Sequence, residues 1–331
     1  MTCISAGYSL FMSLTPVPGR DLLDARALRV VRAVLETGSI TAAALALGYS
    51  QPAVSQHLSR LETRLGMPVV ERVGRGVRLT EAGLVLARHS RTVETTLEAA
   101  AGELAELAGL RSGRVRIAAF PSASAAIVPG VLARMKQRHP GIAVTYREAE
   151  PPEAVALVRD SSVDLALTFS YPGDSADPHG DSAQGLRVSE LRHEEIRVVL
   201  PAGHPAASRA AVDLTDLAED DWIGGCPRCR GHLLELCDRN GFAPRIVCET
   251  DNVAAVFGLV ENGIGVAILP SLAIESVGPR SGVAIRPTTS LDHRTVHAVT
   301  AAGAERIPAL AATLAALAAV VASAPDQGGG N

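Results

Sequence analysis

The stretch Ser39–Gly66, SITAAALALGYSQPAVSQHLSRLETRLG, decides the reading of this chain. It has the pattern of a helix, a tight turn and a second helix. The Ser39 hydroxyl can accept from the unpaired N–H groups at the start of the first helix. Ala42, Leu45 and Ala46 then offer a small inner face. Gly48 supplies the positive φ that a turn between helices needs. Ser50 is a second cap, and Pro52 is tolerated in the first turn, where its missing N–H has no partner to lose. Val54, Leu58, Leu61 and Leu65 recur at helical spacing and point inward. Ser50, Gln51, Pro52, Ser55, Gln56, Ser59 and Arg60 are left at the helix start and on its outer face. Short hydroxyl and amide side chains near the start of a second helix suit the base edges of the major groove. An αα-hairpin of a globular core would leave them without a task.

The flanks fit the same idea. Asp24 to Glu36 reads as a helix with Leu28, Val31 and Leu35 on one face. Met67 to Thr80 reads as a two-stranded wing turning at Gly74-Arg75-Gly76. Arg72, Arg75 and Arg78 stud it, placed for phosphates or the minor groove. Thr80 caps a long helix in which Leu86, Val93, Ala100 and Leu107 form one heptad row. Leu97 and Leu104, with Ser90, form the other, and such a seam favours pairing with a second helix.

Charge is split along the chain. The 331 residues carry a net −4, yet Asp21–Arg91 holds ten Arg, no Lys and six acids, so the remainder carries −8. A basic module on an acidic body suits one DNA-facing part and one that avoids DNA. With 47% hydrophobic residues there is enough for sizeable cores. No apolar run reaches about 18 residues, so no membrane-spanning helix is expected. The first residues lack the basic start and apolar core of a secretory signal, and a cytoplasmic protein is expected.

The run Ser39–Gly83, SITAAALALGYSQPAVSQHLSRLETRLGMPVVERVGRGVRLTEAG, resembles the winged helix-turn-helix of LysR-type transcriptional regulators. Residues 114–322, through their order, length and the phrase NGIGVAILP, resemble the same family's effector-binding domain. The resemblance implies an α/β protein with an N-terminal all-α winged helix-turn-helix and a two-lobed, periplasmic-binding-protein-like effector domain. The expected parts are a disordered leader over 1–20, the DNA-binding domain over 21–79 and a dimerisation linker helix over 80–108. An effector domain over 109–322 and a disordered tail over 323–331 follow. The resemblance also implies operator DNA as partner, an unidentified small-molecule coinducer between the lobes, and a homodimer that pairs into a tetramer.

From Val115 onward strands and helices alternate, which implies a mostly parallel sheet covered by helices. Strands are expected at Val115–Phe120, Ile142–Arg147, Val163–Phe169 and Glu195–Leu200. Helices are expected about Ala123–Arg138 and Pro152–Val158, and Ser170–Gly185 reads as a polar loop. A second α/β unit from Asp213 ends in a closing helix, Ala304–Ala322. In open α/β sheets ligands bind beyond the carboxyl ends of strands. That selects Ser122, Ala123 and Ser124, with Thr168 and Phe169, in the first lobe, and Gly225, Cys226, Thr250 and Gly265 in the second. A carboxylate-bearing ligand held by helix-start amides is the expectation, although Ser122 and Ser124 serve equally as plain caps.

The five cysteines are Cys3, Cys226, Cys229, Cys237 and Cys248. Three readings remain open for those around GCPRCRGHLLELC: buried or capping thiols, a redox pair of the kind that peroxide-sensing members of the family carry in this region, and a metal site. A structural zinc site usually shows two clean pairs, and here there is one. Cys229 and Cys237 would stand about 12 Å apart along a helix, too far for a disulfide; Cys226 and Cys229 bridge more easily. His89 and His293 read as surface residues. No phosphate-binding, hydrolase or metalloprotease motif is present, so neither cofactor nor catalysis is expected. The alternatives are an α/β enzyme with a DNA-binding appendage, which lacks a catalytic set, and an architectural DNA binder, which has no use for a two-lobed body.

Overall fold

A computed structural model describes residues 23–74, 76–107, 113–173 and 185–323. The expected leader, Arg75, Cys3, the start of the hinge, most of the Ser170–Gly185 loop and the tail after Ser323 lie outside them. Two compact units divide the chain, Met1–Glu94 and Thr95–Asn331.

The first unit begins with α1 (Ala25–Thr37), α2 (Ile40–Leu47) and α3 (Gln51–Leu65). Each has its own cap. Asp24 accepts from Ala27 N, Ser39 from Ala42 N and Ser50 from Ala53 N, while Gly38, Gly48 and Gly66 end the helices in the left-handed region. The core joins Leu28, Val31 and Val34 of α1 to Val54, Leu58 and Leu61 of α3. Leu35 is 49% exposed, because the buried stripe of α1 runs through Val30 and Val34 instead. The phase of α2 also differs from expectation. Ala43 and Ala44 are buried with Ile40 and Leu47 against them, and Leu45 is 84% exposed. ITAAALAL is apolar on most sides, so its periodicity alone could not fix which face turns in.

The wing is β1 (Val70–Val73) against β2 (Gly76–Leu79), antiparallel with Val70 opposite Leu79. It is seated from two sides. Glu62 of α3 accepts from Val69 N and Val70 N, and Gly38 O accepts from Val77 N at 3.1 Å. The long helix α4 (Glu81–Leu107) starts where Gly83 N donates to Thr80 Oγ1. Its rows divide differently from the expected seam. Leu86 and Ser90 are buried and Val93 is half-buried; Leu86 and Val93 pack into the first unit's core. Leu97 and Leu104 stay 52% and 67% exposed, Ala100 is exposed, and Ala99 is buried in its place.

The second unit comprises β3 (Gly113–Ala119), α5 (Pro121–Ala126), α6 (Val128–Arg138), β4 (Ile142–Glu148), α7 (Pro151–Arg159) and β5 (Leu165–Ser170). Then come β6 (Leu186–Pro201), β7 (Asp221–Gly224), α8 (Pro227–Arg239), β8 (Arg245–Glu249) and α9 (Val253–Glu261). The chain closes with β9 (Ala267–Pro270), α10 (Ser271–Val277), β10 (Val283–Pro287), β11 (His293–Ala301) and α11 (Pro308–Ser323). The helix expected over Ala123–Arg138 is two helices. Pro129 has no N–H for the Ala125 carbonyl and its ring crowds that carbonyl, so the chain breaks at Ile127. Pro308 likewise starts α11 after a separate turn at Ala304–Arg306.

The sheets are mixed rather than mostly parallel. β3 pairs in parallel with β4 and β5, and β7 with β8, whereas β11 pairs antiparallel with both β5 and β6. The difference lies in β6, which starts nine residues before the expected Glu195. Leu186–Glu194 is rich in charge and its apolar alternation stops after Val188, yet it pairs with β11 along its length. Past Glu195 the same strand pairs with β9 and β10. One strand thus belongs to both lobes. Phe169, Leu165, Val131 and Leu310 share a core in the first lobe. Trp222, Leu233 and Leu236 fill one side of the second, and Phe257, Val260 and Ile223 the other.

Candidate DNA-reading surface and effector cleft

Of the residues expected to face DNA from α3, Gln51, Pro52, Gln56, Ser59 and Arg60 are exposed. The α2–α3 turn brings Ser50 to the helix start, where it is also exposed. Ser55 is half-buried and accepts from Gln51 Nε2 at 2.9 Å, which fixes both side chains relative to the helix. Of the wing arginines, Arg72 is exposed, and Arg78 donates to Glu71 across the hairpin at 2.6 Å. That pair places the Glu71 carboxylate beside one of the expected phosphate contacts.

In the second unit a cleft of about 620 Å³, its mouth included, opens between the lobes. Ser122, Phe169, Gly225, Cys226 and Thr250 line it. Ala123, Ser124, Thr168 and Gly265 are not among the lining residues. Ala123 is fully buried, and Ser124 Oγ donates to Ala119 O as a local cap. A Cβ at Gly265 would lie 2.6 Å from Asp221 O, so that glycine serves the close approach of two chain segments. His89 and His293 are on the surface, as expected.

Sequence reasoning missed the polar centre of the cleft, Arg294 on β11. It stands directly opposite Glu194 on β6, and its Nε donates to Glu194 Oε1 at 2.5 Å. Its Nη2 donates to Ser122 Oγ at 2.9 Å. The guanidinium lies over the rings of Phe169 and Phe120, 4.3 and 4.9 Å from their centroids. Glu194 also accepts from Leu272 N at the start of α10. Burial works against the charge on Arg294, but Glu194 together with Tyr171 and Cys229 more than offsets it and raises its pKa. The available signal was an arginine in the same register as Val296 and Ala298 of HRTVHAVTA, since an ion on a buried face must have a partner.

Glu150, Tyr171, Cys229 and Asp251 complete the polar lining. Burial pushes the Glu150 carboxyl up to about 7, with Cys226 beside it and the Arg294 charge opposing the shift. Cys226 caps α8 and accepts from Cys229 N, and the two sulfurs are 2.9 Å apart. Cys237 is fully buried in the Trp222 core and Cys248 is half-buried on β8. Among the described residues no group of three or more His, Cys, Asp or Glu could hold a metal ion. Nor is any described helix long and apolar enough to cross a membrane.

A helix-turn-helix with a wing, followed by a two-lobed α/β body with a cleft, defines a ligand-responsive DNA-binding regulator. Family models bear this out. "Bacterial regulatory helix-turn-helix protein, lysR family" matches residues 25–84, and "LysR substrate binding domain" matches residues 108–322. The chain belongs to the LysR family of transcriptional regulators. It is 32% identical to a probable hydrogen peroxide-inducible genes activator of Mycobacterium avium over 77% of this chain and 80% of that protein. It is 28% identical to the transcriptional dual regulator GltC of Bacillus subtilis, over 80% and 86%. Among solved structures, an OxyR mutant of Corynebacterium glutamicum superposes with a TM-score of 0.54 at 26% identity, covering 90% of this chain and 91% of that one. A full-length OxyR variant from Pseudomonas aeruginosa shares the fold with a TM-score of 0.64 at 21% identity, over 89% and 94%. Regulators of this family bind operator DNA and small-molecule effectors and assemble as oligomers.

Proposed function

We propose that this regulator is a cytoplasmic protein without catalytic turnover whose hold on its operator is set by a small molecule bound in the cleft between the lobes. The observation that carries the reading is Arg294, a buried cation in the cleft wall held by Glu194 and Ser122. The ligand is smaller than the cleft and presents both an acceptor and a donor. Arg294 already spends its charge on Glu194, and Glu150 and Asp251 add carboxyl groups to the lining, so a plain carboxylate is poorly matched. Gln51, Ser55 and Gln56 read bases, assisted by Ser50, Pro52 and Ser59. Arg60, Arg72, Arg75 and Arg78 hold phosphates or the minor groove. A second copy pairs along Thr80–Leu107, where Leu97 and Leu104 lie exposed seven residues apart.

The test uses the full chain kept reduced with dithiothreitol. A panel of small amino acids, amines and carboxylates is screened for a rise in melting temperature, and each hit is then tried in an operator footprint. At least one member is expected to do both, and Ser122→Ala is expected to weaken that response. Ligands that stabilise the protein while protecting only residues outside the cleft from hydrogen exchange would overturn the assignment.

A further inference from the structure

Glu150 stands at the cap position of α7, yet its side chain makes no capping hydrogen bond. It turns into the cleft wall instead. Its Oε2 is buried there with no hydrogen-bond partner among the described residues. A carboxylate can accept several hydrogen bonds, and a buried acceptor left without one is costly. The wall is incomplete at this atom until a donor arrives from outside the chain.

The charges around Glu150 select the donor. Cys226 and Cys229 face it from the start of α8, Arg294 from β11, and Asp251 from the turn between β8 and α9. Among the described residues that line the cleft Arg294 is the one cation, and Glu194 and Ser122 already hold it. Glu150 and Asp251 are left without a cation of their own. They come from opposite lobes, so their like charges oppose each other across the cleft until a cation enters. Beside them Val253 and Val256 of α9 and Leu269 of β9 give the cleft an apolar wall. Ser122 Oγ accepts from Arg294 and keeps its own proton for an acceptor on the ligand.

We propose that the ligand of the cleft is an organic cation, a primary ammonium group on a short apolar body, bound with its nitrogen between Glu150 and Asp251. This rests on the reading that the cleft holds the effector. The ammonium donates to Glu150 Oε2, its carbon body lies on Val253, Val256 and Leu269, and a neutral oxygen on the ligand accepts from Ser122. A quaternary ammonium fits less well. It has no N–H for Oε2, and the aromatic faces that would cage it are engaged: Arg294 lies over Phe120 and Phe169, and Tyr171 stacks on His232 with ring centroids 3.7 Å apart. Because the two carboxyl groups belong to opposite lobes, a cation between them draws the lobes together. That is the differential contact a ligand needs in order to shift a conformational equilibrium.

Binding of such a ligand is linked to pH. Burial pushes the Glu150 carboxyl up to about 7, and a cation beside it pulls it back down. Below that value the empty cleft holds a proton that the occupied cleft has released. Ligand affinity therefore rises with pH, by about tenfold per unit, up to about 7 and flattens above it. An alkylammonium keeps its own charge throughout, since its pKa is near ~10.

The experiment uses the full chain. Butyl, hexyl and phenylethyl skeletons are each supplied as the primary amine, the carboxylate and the alcohol, and binding is followed by titration calorimetry in buffers of different protonation enthalpy. On at least one skeleton the amine is expected to bind about tenfold more tightly than its carboxylate and its alcohol. That amine should release about one proton at pH 6 and almost none at pH 8. Glu150→Gln should cut its affinity about tenfold and abolish the proton release. Asp251→Asn should cut the affinity less and keep the release. Glu153→Gln, in solvent on the same helix and paired with Arg147, should behave as wild type. Amines no better than carboxylates on every skeleton, or a preferred amine whose affinity and proton release are indifferent to Glu150→Gln, would overturn the proposal. An operator footprint with the preferred probe is a separate arm. A carboxylate that binds best and shifts the footprint removes the cation and leaves the effector reading standing; an amine that binds through Glu150 with an unchanged footprint does the reverse.

Discussion

The outer face of α3 and the wall of the cleft both carry polar side chains for recognition, but they hold them in opposite ways. On α3, Gln51, Gln56, Ser59 and Arg60 stand in solvent on a helix whose other side is locked by Val54, Leu58 and Leu61. In the cleft, Arg294 and Glu194 are 1% and 2% exposed and are tied to each other, to Ser122 and to Leu272 N. An exposed group contributes little until its partner arrives, so changing one alters binding and leaves the fold alone. A buried ion costs a great deal unless paired, so changing one disturbs every group bonded to it. The DNA surface is therefore additive and the cleft is coupled, which suits a fixed reader on one side and a switch on the other.

The hardest push on this contrast is Arg294→Ala. It leaves Glu194 buried beside an empty site, and removing one partner of a buried pair costs about 3–5 kcal/mol. Urea unfolding of the full chain should show that loss, and Arg294→Met combined with Glu194→Gln should recover most of it. A single variant as stable as wild type would break the comparison at its root. Gln56→Ala should leave the unfolding midpoint alone and cut discrimination at one base position per half-site by about 1–3 kcal/mol. Competition binding with operator variants checks this, and equal losses on operator and random DNA would remove Gln56 from the reading set. Arg72→Ala should weaken all sequences alike and lower the salt slope by about one per subunit. Between the two extremes lies Asp24, whose carboxylate caps α1 at 2.7 Å from Ala27 N. Asp24→Ala should cost about 1 kcal/mol of stability, seen in the same unfolding assay.

The gentlest test is a titration. Glu150 has a folded pKa of about 7 against an ordinary 4.5, so the folded state holds a proton that the unfolded state has released between those values. The unfolded state gains as pH rises through that window, and the loss of stability is complete above about 7. Below 4.5 both states are protonated and the group contributes nothing. Glu150→Gln should therefore show a flatter fall in denaturant midpoint from pH 4.5 to 7 than wild type. Superimposable curves would mean that Glu150 is wetter than its place in the cleft wall implies.

The two regions also differed in how far the sequence revealed them. The reading helix could be placed because its function and its local signals coincide: Ser50 as cap, Gly48 as turn, and Val54, Leu58 and Leu61 at one spacing. The phase of α2 could not, since a helix made of Ile, Thr, Ala and Leu has no polar face to mark its outside. In the second unit the strand-to-helix rule found Ser122, Phe169, Gly225, Cys226 and Thr250 at the cleft. It also swept in Ser124 and Gly265, which serve a local hydrogen bond and a close backbone approach. Arg294 escaped because its meaning depends on Glu194, one hundred residues earlier, on a strand segment whose apolar alternation has already stopped. Local patterns report what a residue does to its own helix or strand. They are silent about a pairing that only the antiparallel register of β6 and β11 creates.

That shared strand has a consequence for anyone who cuts the gene. Leu186–Glu195 is laid down on β11 and Ile196–Pro201 on β9 and β10, so the border between the lobes falls inside one continuous strand. The first lobe is assembled from chain on both sides of the second, ending with β11 and α11. No single truncation point yields an intact lobe. Fragments made to isolate one half of the effector domain should be insoluble or unfolded, and a free-standing first lobe would have to be spliced, with the segment after β6 replaced by a short turn that leads back into β11.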